Sequence, residues 1–128
     1  MLLVALVLAA VAGALHVVIF AMESVLFDRP QVHGRFGVRT ADLAVVRPWA
    51  YNQGFYNLFL AIGAFVGVGI AAAGHHGAGL ALVLTACGSM LAAAMVLGTS
   101  QRAMLRAAVT QGTVPLLAVV AAVVALAS

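Results

Sequence analysis

Four long apolar runs constrain this chain more than any other feature of its sequence. They cover residues 1–27, in which no charge precedes Glu23, and residues 51–74, 78–100 and 107–128, in which no Asp, Glu or Arg occurs. Each run is long enough to cross about 30 Å of hydrocarbon, which takes about 20 residues. Lipid permits only helices or closed barrels, and four segments are too few for a barrel. We therefore predict one all-α domain over residues 1–128, an integral membrane four-helix bundle.

Composition supports a lipid environment and excludes several other classes. The chain is 66% hydrophobic and 7% charged, against about 25% charged residues in average soluble domains. Its positive charge comes from six arginines that form no continuous basic stripe, so no nucleic-acid partner is expected. The single cysteine, Cys87, excludes a disulfide within the chain.

The arginines also predict an orientation in the membrane. Four of them lie between the first two apolar runs and two lie between the last two. Cytoplasmic loops collect such residues, so we expect both loops inside the cell and both termini outside the cytoplasm, in the inner (plasma) membrane. The first run could be mistaken for a secretory signal, but residues 1–8 lack a basic region and the run is too long.

The first loop, residues 28–50, predicts a short interfacial helix. Thr40 resembles a helix start, with Asp42 in the first turn, where a carboxylate complements the helix dipole. Pro48 is expected to end or bend this helix. Trp49 and Tyr51 are expected at the headgroup level, where amphipathic aromatic residues settle.

Polar side chains within the apolar runs form the candidate site, because each costs up to about 2.5 to 3.5 kcal/mol in mid-membrane. His16 and Glu23 are seven residues apart, which places them on one helix face about 10 Å apart. Two i,i+4 pairs give the second helix a broad polar face. The orientation brings these groups to one depth near the cytoplasm, with Thr99 and Arg106 approaching as well. The predicted ligand-binding residues are His16, Glu23, Asn52, Gln53, Tyr56, Asn57 and Gln111.

Three interpretations of this cluster remain open. The side chains could tie the helices together, each hydrogen bond contributing on the order of 1 kcal/mol or less in lipid. Glu23 could instead titrate or pair with a cation, with His16 relaying a proton and the amides holding a small polar ligand. In the third interpretation Glu23 only snorkels to the headgroups.

No metal or cofactor is expected. His75 and His76 supply at most two ligands for a metal, with no carboxylate or thiol nearby in the sequence. Haem attachment motifs, phosphate-cradling loops and nucleophile elbows are absent. No catalytic residue is assigned.

Small residues indicate close helix packing. Gly63 with Gly67 forms a small-xxx-small pair, and Gly13 with Ala9 and Gly88 with Ala92 offer similar faces. These faces suit either packing within one bundle or a homodimer.

The residues of the cluster also resemble a known family. His16 followed by Glu23, the run Asn52-Gln53-Gly54-Phe55-Tyr56-Asn57, and Gln111 followed by Pro115-Leu116 are similar to the domain of unknown function 1304 family. The resemblance covers nearly the whole chain and implies a small bacterial four-helix membrane protein, without implying a reaction.

We expect this protein to bind a small polar or amphipathic ligand in a polar cavity of the inner leaflet, with proton-coupled transport as one use. An enzyme acting on a lipophilic substrate is less favoured, because the predicted distance between His16 and Glu23 is too long for a direct hydrogen bond. An accessory structural subunit is the third alternative. The expected partners are the lipid bilayer, the ligand and a second copy of the chain.

Overall fold

A computed structural model describes residues 1–128 as helices joined by short turns, without strands. The helices are α1 (Leu2–Phe20), extended by a π-helical turn (Ala21–Val25), then α2 (Pro30–His33), α3 (Leu43–Ala72), α4 (His76–Ser100) and α5 (Leu105–Ala127). Three 3-10 turns cover Gly34–Phe36, Thr40–Asp42 and Arg102–Met104. The predicted all-α bundle is confirmed.

The four long helices form a ring in which chain neighbours pack side by side. Helix α1 contacts α3 and α5, helix α4 contacts the same two helices, and α1 barely touches α4 across the ring. The connections from α3 to α4 and from α4 to α5 are short, which makes these helix pairs antiparallel. All four are long and apolar enough to cross a membrane, which identifies a multi-pass membrane protein.

The bundle centre is built largely from small side chains, while larger ones face outward. Ala5, Ala9 and Ala64 are fully buried, whereas Leu3 is 74% exposed and Val96 is 64% exposed. This distribution suits lipid, where helices associate through close packing because the surroundings are as apolar as the interior.

Glycines allow α3 and α4 to approach each other closely. A Cβ atom on Gly67 would lie 2.9 Å from the Gly79 carbonyl oxygen, and one on Gly79 would overlap the backbone of Ala71. A Cβ on Gly13 would meet the Phe65 ring at 3.0 Å, whereas one on Gly88 would meet nothing within 4 Å. Of the predicted small-residue faces, the one containing Gly67 makes the tight contact and Gly88 lies in open space.

The first loop differs from its prediction. Its short helix is α2, and the segment expected to form a separate interfacial helix is instead the start of α3, which passes through Pro48. A proline in this position removes the hydrogen bond to the Ala44 carbonyl, and its ring crowds that carbonyl. Polar surroundings can satisfy that carbonyl near the end of the span, so Pro48 does not end the helix.

The start of α3 projects beyond the hydrocarbon. Its 30 residues give it a length of about 45 Å, whereas the hydrocarbon core of a membrane is about 30 Å thick. Arg47 donates to Asp28 at 2.6 Å in an exposed ion pair, and this hydrogen bond lowers the pKa of the Asp28 carboxyl. Trp49 is 75% exposed. The membrane boundary is therefore expected near Trp49.

The contact between α3 and α4 gives a first prediction. Gly79→Ala forces the helices apart, and such overpacking costs about 1 to 3 kcal/mol. We expect a lower thermal unfolding temperature in detergent. The control is Gly88→Ala, on the same helix but in open space, which should leave that temperature unchanged or higher. Equal effects of the two substitutions would contradict the packing described here.

Candidate functional site

A polar cavity of about 270 Å³ lies among all four long helices, at the end of the bundle where the two arginine-containing segments meet. It is lined by His16, Glu23, Phe36, Gln53, Asn57, Leu60, Ala93, Leu97, Met104, Ala107 and Gln111. Five of the seven residues singled out from the sequence are thus brought together.

Glu23 and Asn57 form the central contact of the cavity. The Asn57 Nδ2 donates to Glu23 Oε2 at 2.8 Å and to the backbone oxygen of Gln53 at 3.2 Å. An ionised carboxylate and a backbone carbonyl can only accept hydrogen bonds. The Asn57 side chain is therefore oriented with its NH2 group, and not its oxygen, toward them. Its two N–H groups are used, and its Oδ1 is left without a partner.

Local features at the end of α1 bring Glu23 to this position. The chain changes from α- to π-helical hydrogen bonding there, with the amide of Leu26 bonded to the Ala21 carbonyl at 2.8 Å. Ser24 donates to the Tyr51 carbonyl at 2.8 Å. A Cβ on Gly54 would collide with the Ser24 side chain, so a glycine is needed for the two helices to meet here. π-Helical turns of this kind are frequent at functional sites.

His16 lies deeper in the cavity and is 2% exposed. Its Nδ1 donates to the Ala12 carbonyl at 2.9 Å. Because a carbonyl only accepts, this bond places the proton of the neutral ring on Nδ1 and leaves Nε2 as an acceptor. Nε2 has no partner in the chain and is not sealed off among protein atoms.

The unpaired groups of the cavity are mostly acceptors. They are Glu23 Oε1, Asn57 Oδ1 and His16 Nε2, together with the side-chain amides of Gln53 and Gln111, which can donate or accept. No arginine lines the cavity.

Glu23 differs in this respect from the two other carboxylates of the chain. Asp28 pairs with Arg47, and Asp42 pairs with Arg39. Glu23 has only the neutral amide of Asn57. A carboxylate at this depth therefore needs a proton or an external cation to neutralise it.

Two of the predicted site residues lie elsewhere. Tyr56 is 58% exposed and stacks edge-on against Phe59, with ring centroids 6.5 Å apart. Asn52 lines a neighbouring pocket that it shares with Glu23 and Gln53. The two i,i+4 pairs of α3 are Asn52 with Tyr56 and Gln53 with Asn57. They are offset by about 100° around the helix, and only Gln53 and Asn57 line the central cavity.

Other polar residues expected nearby also stay outside. Thr99 donates to the Met95 carbonyl of its own helix at 2.8 Å and lines an apolar groove between α4 and α5. Arg106 lines neither the cavity nor the pockets beside it. A hydroxyl in a spanning helix, such as that of Thr99, commonly donates its hydrogen bond to a backbone carbonyl of the preceding turn.

Phe36 was not predicted as a site residue. Its side chain forms a wall of the central cavity and of two neighbouring pockets, and its ring packs against Phe27 at 5.8 Å. The next residue, Gly37, has a φ of 71°, a left-handed conformation that favours glycine. The sequence signal was the pair Phe36-Gly37, but a loop aromatic residue gives no indication of which cavity it closes.

Comparison with known proteins gives a family but no activity. No curated protein and no solved structure matches this chain. A family model described as "Protein of unknown function (DUF1304)" matches residues 3–123. Because the match spans nearly the whole chain, this protein belongs to the DUF1304 family.

Proposed function

We propose that this protein binds the cationic ammonium group of a small amphipathic ligand, with Glu23 as its counter-charge. The observation that carries the proposal is the set of unpaired acceptors, Glu23 Oε1, Asn57 Oδ1 and His16 Nε2, around a cavity without an arginine. An ammonium group is a pure donor with up to three N–H bonds. Its charge and its donors complement this lining.

The size and walls of the cavity limit the ligand. A volume of about 270 Å³ lies just below the usual range of about 300 to 1,000 Å³ for small-molecule sites. Leu60, Leu97 and Met104 supply apolar walls beside the polar groups. A short aliphatic amine matches both properties.

The location in the cell follows from the arginines. We place the arginine-containing end in the cytoplasm and both termini outside it, in the inner (plasma) membrane. The cavity then opens in the inner leaflet half, where Phe36 and Met104 lie between it and the cytoplasm.

Proton-coupled transport is one use of such a site. A proton neutralises Glu23 when the cavity is empty, and the ammonium ligand replaces it on binding. One carboxylate would then exchange protons for cations. A homodimer remains part of this proposal, since one bundle of four helices has little room for a pore.

A structural role is the second candidate. The bond between Asn57 and Glu23 joins α1 to α3, as expected of a polar tie between helices. The enzyme alternative has less support, because His16 and Glu23 share the cavity without a hydrogen bond between them.

Binding of an amine tests the proposal. We expect hexylammonium to bind the purified protein in detergent and Glu23→Gln to weaken binding about ten- to a hundredfold, because a charge-assisted hydrogen bond contributes about 1.5 to 3 kcal/mol. Isothermal titration calorimetry measures both affinities.

The matched control is Asp42→Asn, which removes an exposed carboxylate distant from the cavity and should bind like the wild type. Hexyltrimethylammonium, which has the charge but no N–H donors, should bind more weakly than hexylammonium. Equal affinities of wild type and Glu23→Gln for hexylammonium would refute the proposed role of Glu23.

Proton release accompanies binding if Glu23 is protonated in the empty cavity. We expect about one proton per bound hexylammonium at mildly acidic pH, falling as the pH rises and Glu23 ionises beforehand. A pH-sensitive dye in weak buffer measures the release. Glu23→Gln should release none, and an unchanged signal in that variant would assign the proton to another group.

The structural role predicts a difference between two asparagines. Asn57→Leu leaves Glu23 without its donor and should lower the free energy of unfolding by about 1 to 3 kcal/mol. Asn52→Leu, at an exposed position, should change it by less than about 0.5 kcal/mol. Thermal unfolding in detergent compares them. A destabilised Asn57→Leu, together with a wild type that binds no amine, would favour the structural subunit.

A further inference from the structure

A second cavity adjoins the first and opens on the side of the bundle. It has a volume of about 200 Å³ and lies between α1 and α5. The two cavities share Phe36, Met104, Ala107 and Gln111 as walls. The two cavities are therefore neighbours, separated by these shared side chains.

The side cavity has one charged group and a long apolar wall. Arg35 lies at its loop end, and Leu15, Ile19 and Met22 form the wall opposite α5. Leu15 and Ile19 lie one turn apart on one face of α1, and Met22 follows in the π-helical turn. They extend about 10 Å along the helix, from the level of the arginine loop toward mid-membrane.

Arg35 is available to bind a ligand. The two ion pairs of the chain use Arg39 and Arg47, and Arg35 makes no hydrogen bond to another residue. An exposed arginine at the headgroup level attracts phosphate, which its planar guanidinium can bind through two N–H groups.

We propose, building on the proposed function, that the ligand is a membrane phospholipid whose headgroup carries a primary amine. The ammonium group occupies the central cavity at Glu23, the phosphate binds Arg35, and one acyl chain lies along Leu15, Ile19 and Met22. Glu23 lines the central cavity, Arg35 lines the side cavity, and Phe36 lines both. One negative and one positive side chain in adjoining cavities match a zwitterionic headgroup. Glu23 Oε1 and Asn57 Oδ1, whose side chains are in contact, supply neighbouring acceptors for the N–H donors of a primary ammonium.

A series of lipids with graded methylation tests this assignment. Phosphatidylethanolamine and its mono-, di- and trimethylated forms, all with oleoyl chains, keep both charges and lose the N–H donors one by one. We expect retention by the detergent-solubilised protein, measured by native mass spectrometry, to fall along the series, with about a tenfold difference between its ends.

Two variants separate the two ends of the headgroup. Glu23→Gln should abolish the difference between the primary amine and its trimethylated form, while Arg35→Gln should weaken all members of the series alike. Tyr56→Phe, on the outer face of α3, should behave like the wild type. Phosphatidylglycerol, which has the phosphate but no ammonium, should be retained less than phosphatidylethanolamine.

The inference is overturned if the wild type retains all four lipids equally, if phosphatidylglycerol is retained best, or if Arg35→Gln has no effect. Hexylammonium binding distinguishes this failure from that of the proposed function. If hexylammonium still binds in a Glu23-dependent manner, only the lipid assignment is wrong. If hexylammonium does not bind either, both are wrong.

Discussion

The hydrogen bond between Asn57 and Glu23 connects sequence, fold and site. It joins a carboxylate on the first spanning segment to an amide on α3 at 2.8 Å, on the wall of the central cavity. A neutral amide satisfies one carboxylate oxygen without neutralising the charge. Glu23 is thereby positioned by the fold while its charge remains available to a proton or a ligand, in contrast to the two aspartates paired with arginine.

Close packing of small residues makes this contact possible. Gly54 lets the end of α1 approach α3, where Ser24 bonds to the Tyr51 carbonyl. At the opposite end of the bundle, Gly67 and Gly79 bring α3 and α4 together. All six arginines and all three Asp and Glu side chains lie at or near the end of the bundle with the cavity.

The sequence predicted the four spans and the end of the bundle at which the polar cluster lies, since the cost of placing polar groups in lipid restricts both. His16, Glu23 and Gln111 could be placed on one cavity from spacing and loop charge. Spacing could not decide which row of α3 lines the central cavity, so the predicted set included Tyr56, which lies outside that cavity. Pro48 predicted a helix end, but α3 continues through it. Whether a helix tolerates a proline near the membrane surface depends on the groups around it, which the local sequence does not indicate. Phe36 and Arg35 reach their cavities through loop packing, which has no periodicity.

The pairing of Glu23 with Asn57 can be measured directly in lipid. Magic-angle-spinning NMR of the protein in bilayers, with ¹³C in the Glu23 carboxyl and ¹⁵N in the Asn57 side-chain amide, reports the dipolar coupling between these two groups. Nδ2 lies 2.8 Å from Oε2, which brings the labelled nitrogen close to the labelled carboxyl carbon. Strong dephasing is therefore expected. No detectable coupling would show that Glu23 and Asn57 do not meet, and the cavity of acceptors described here would not exist.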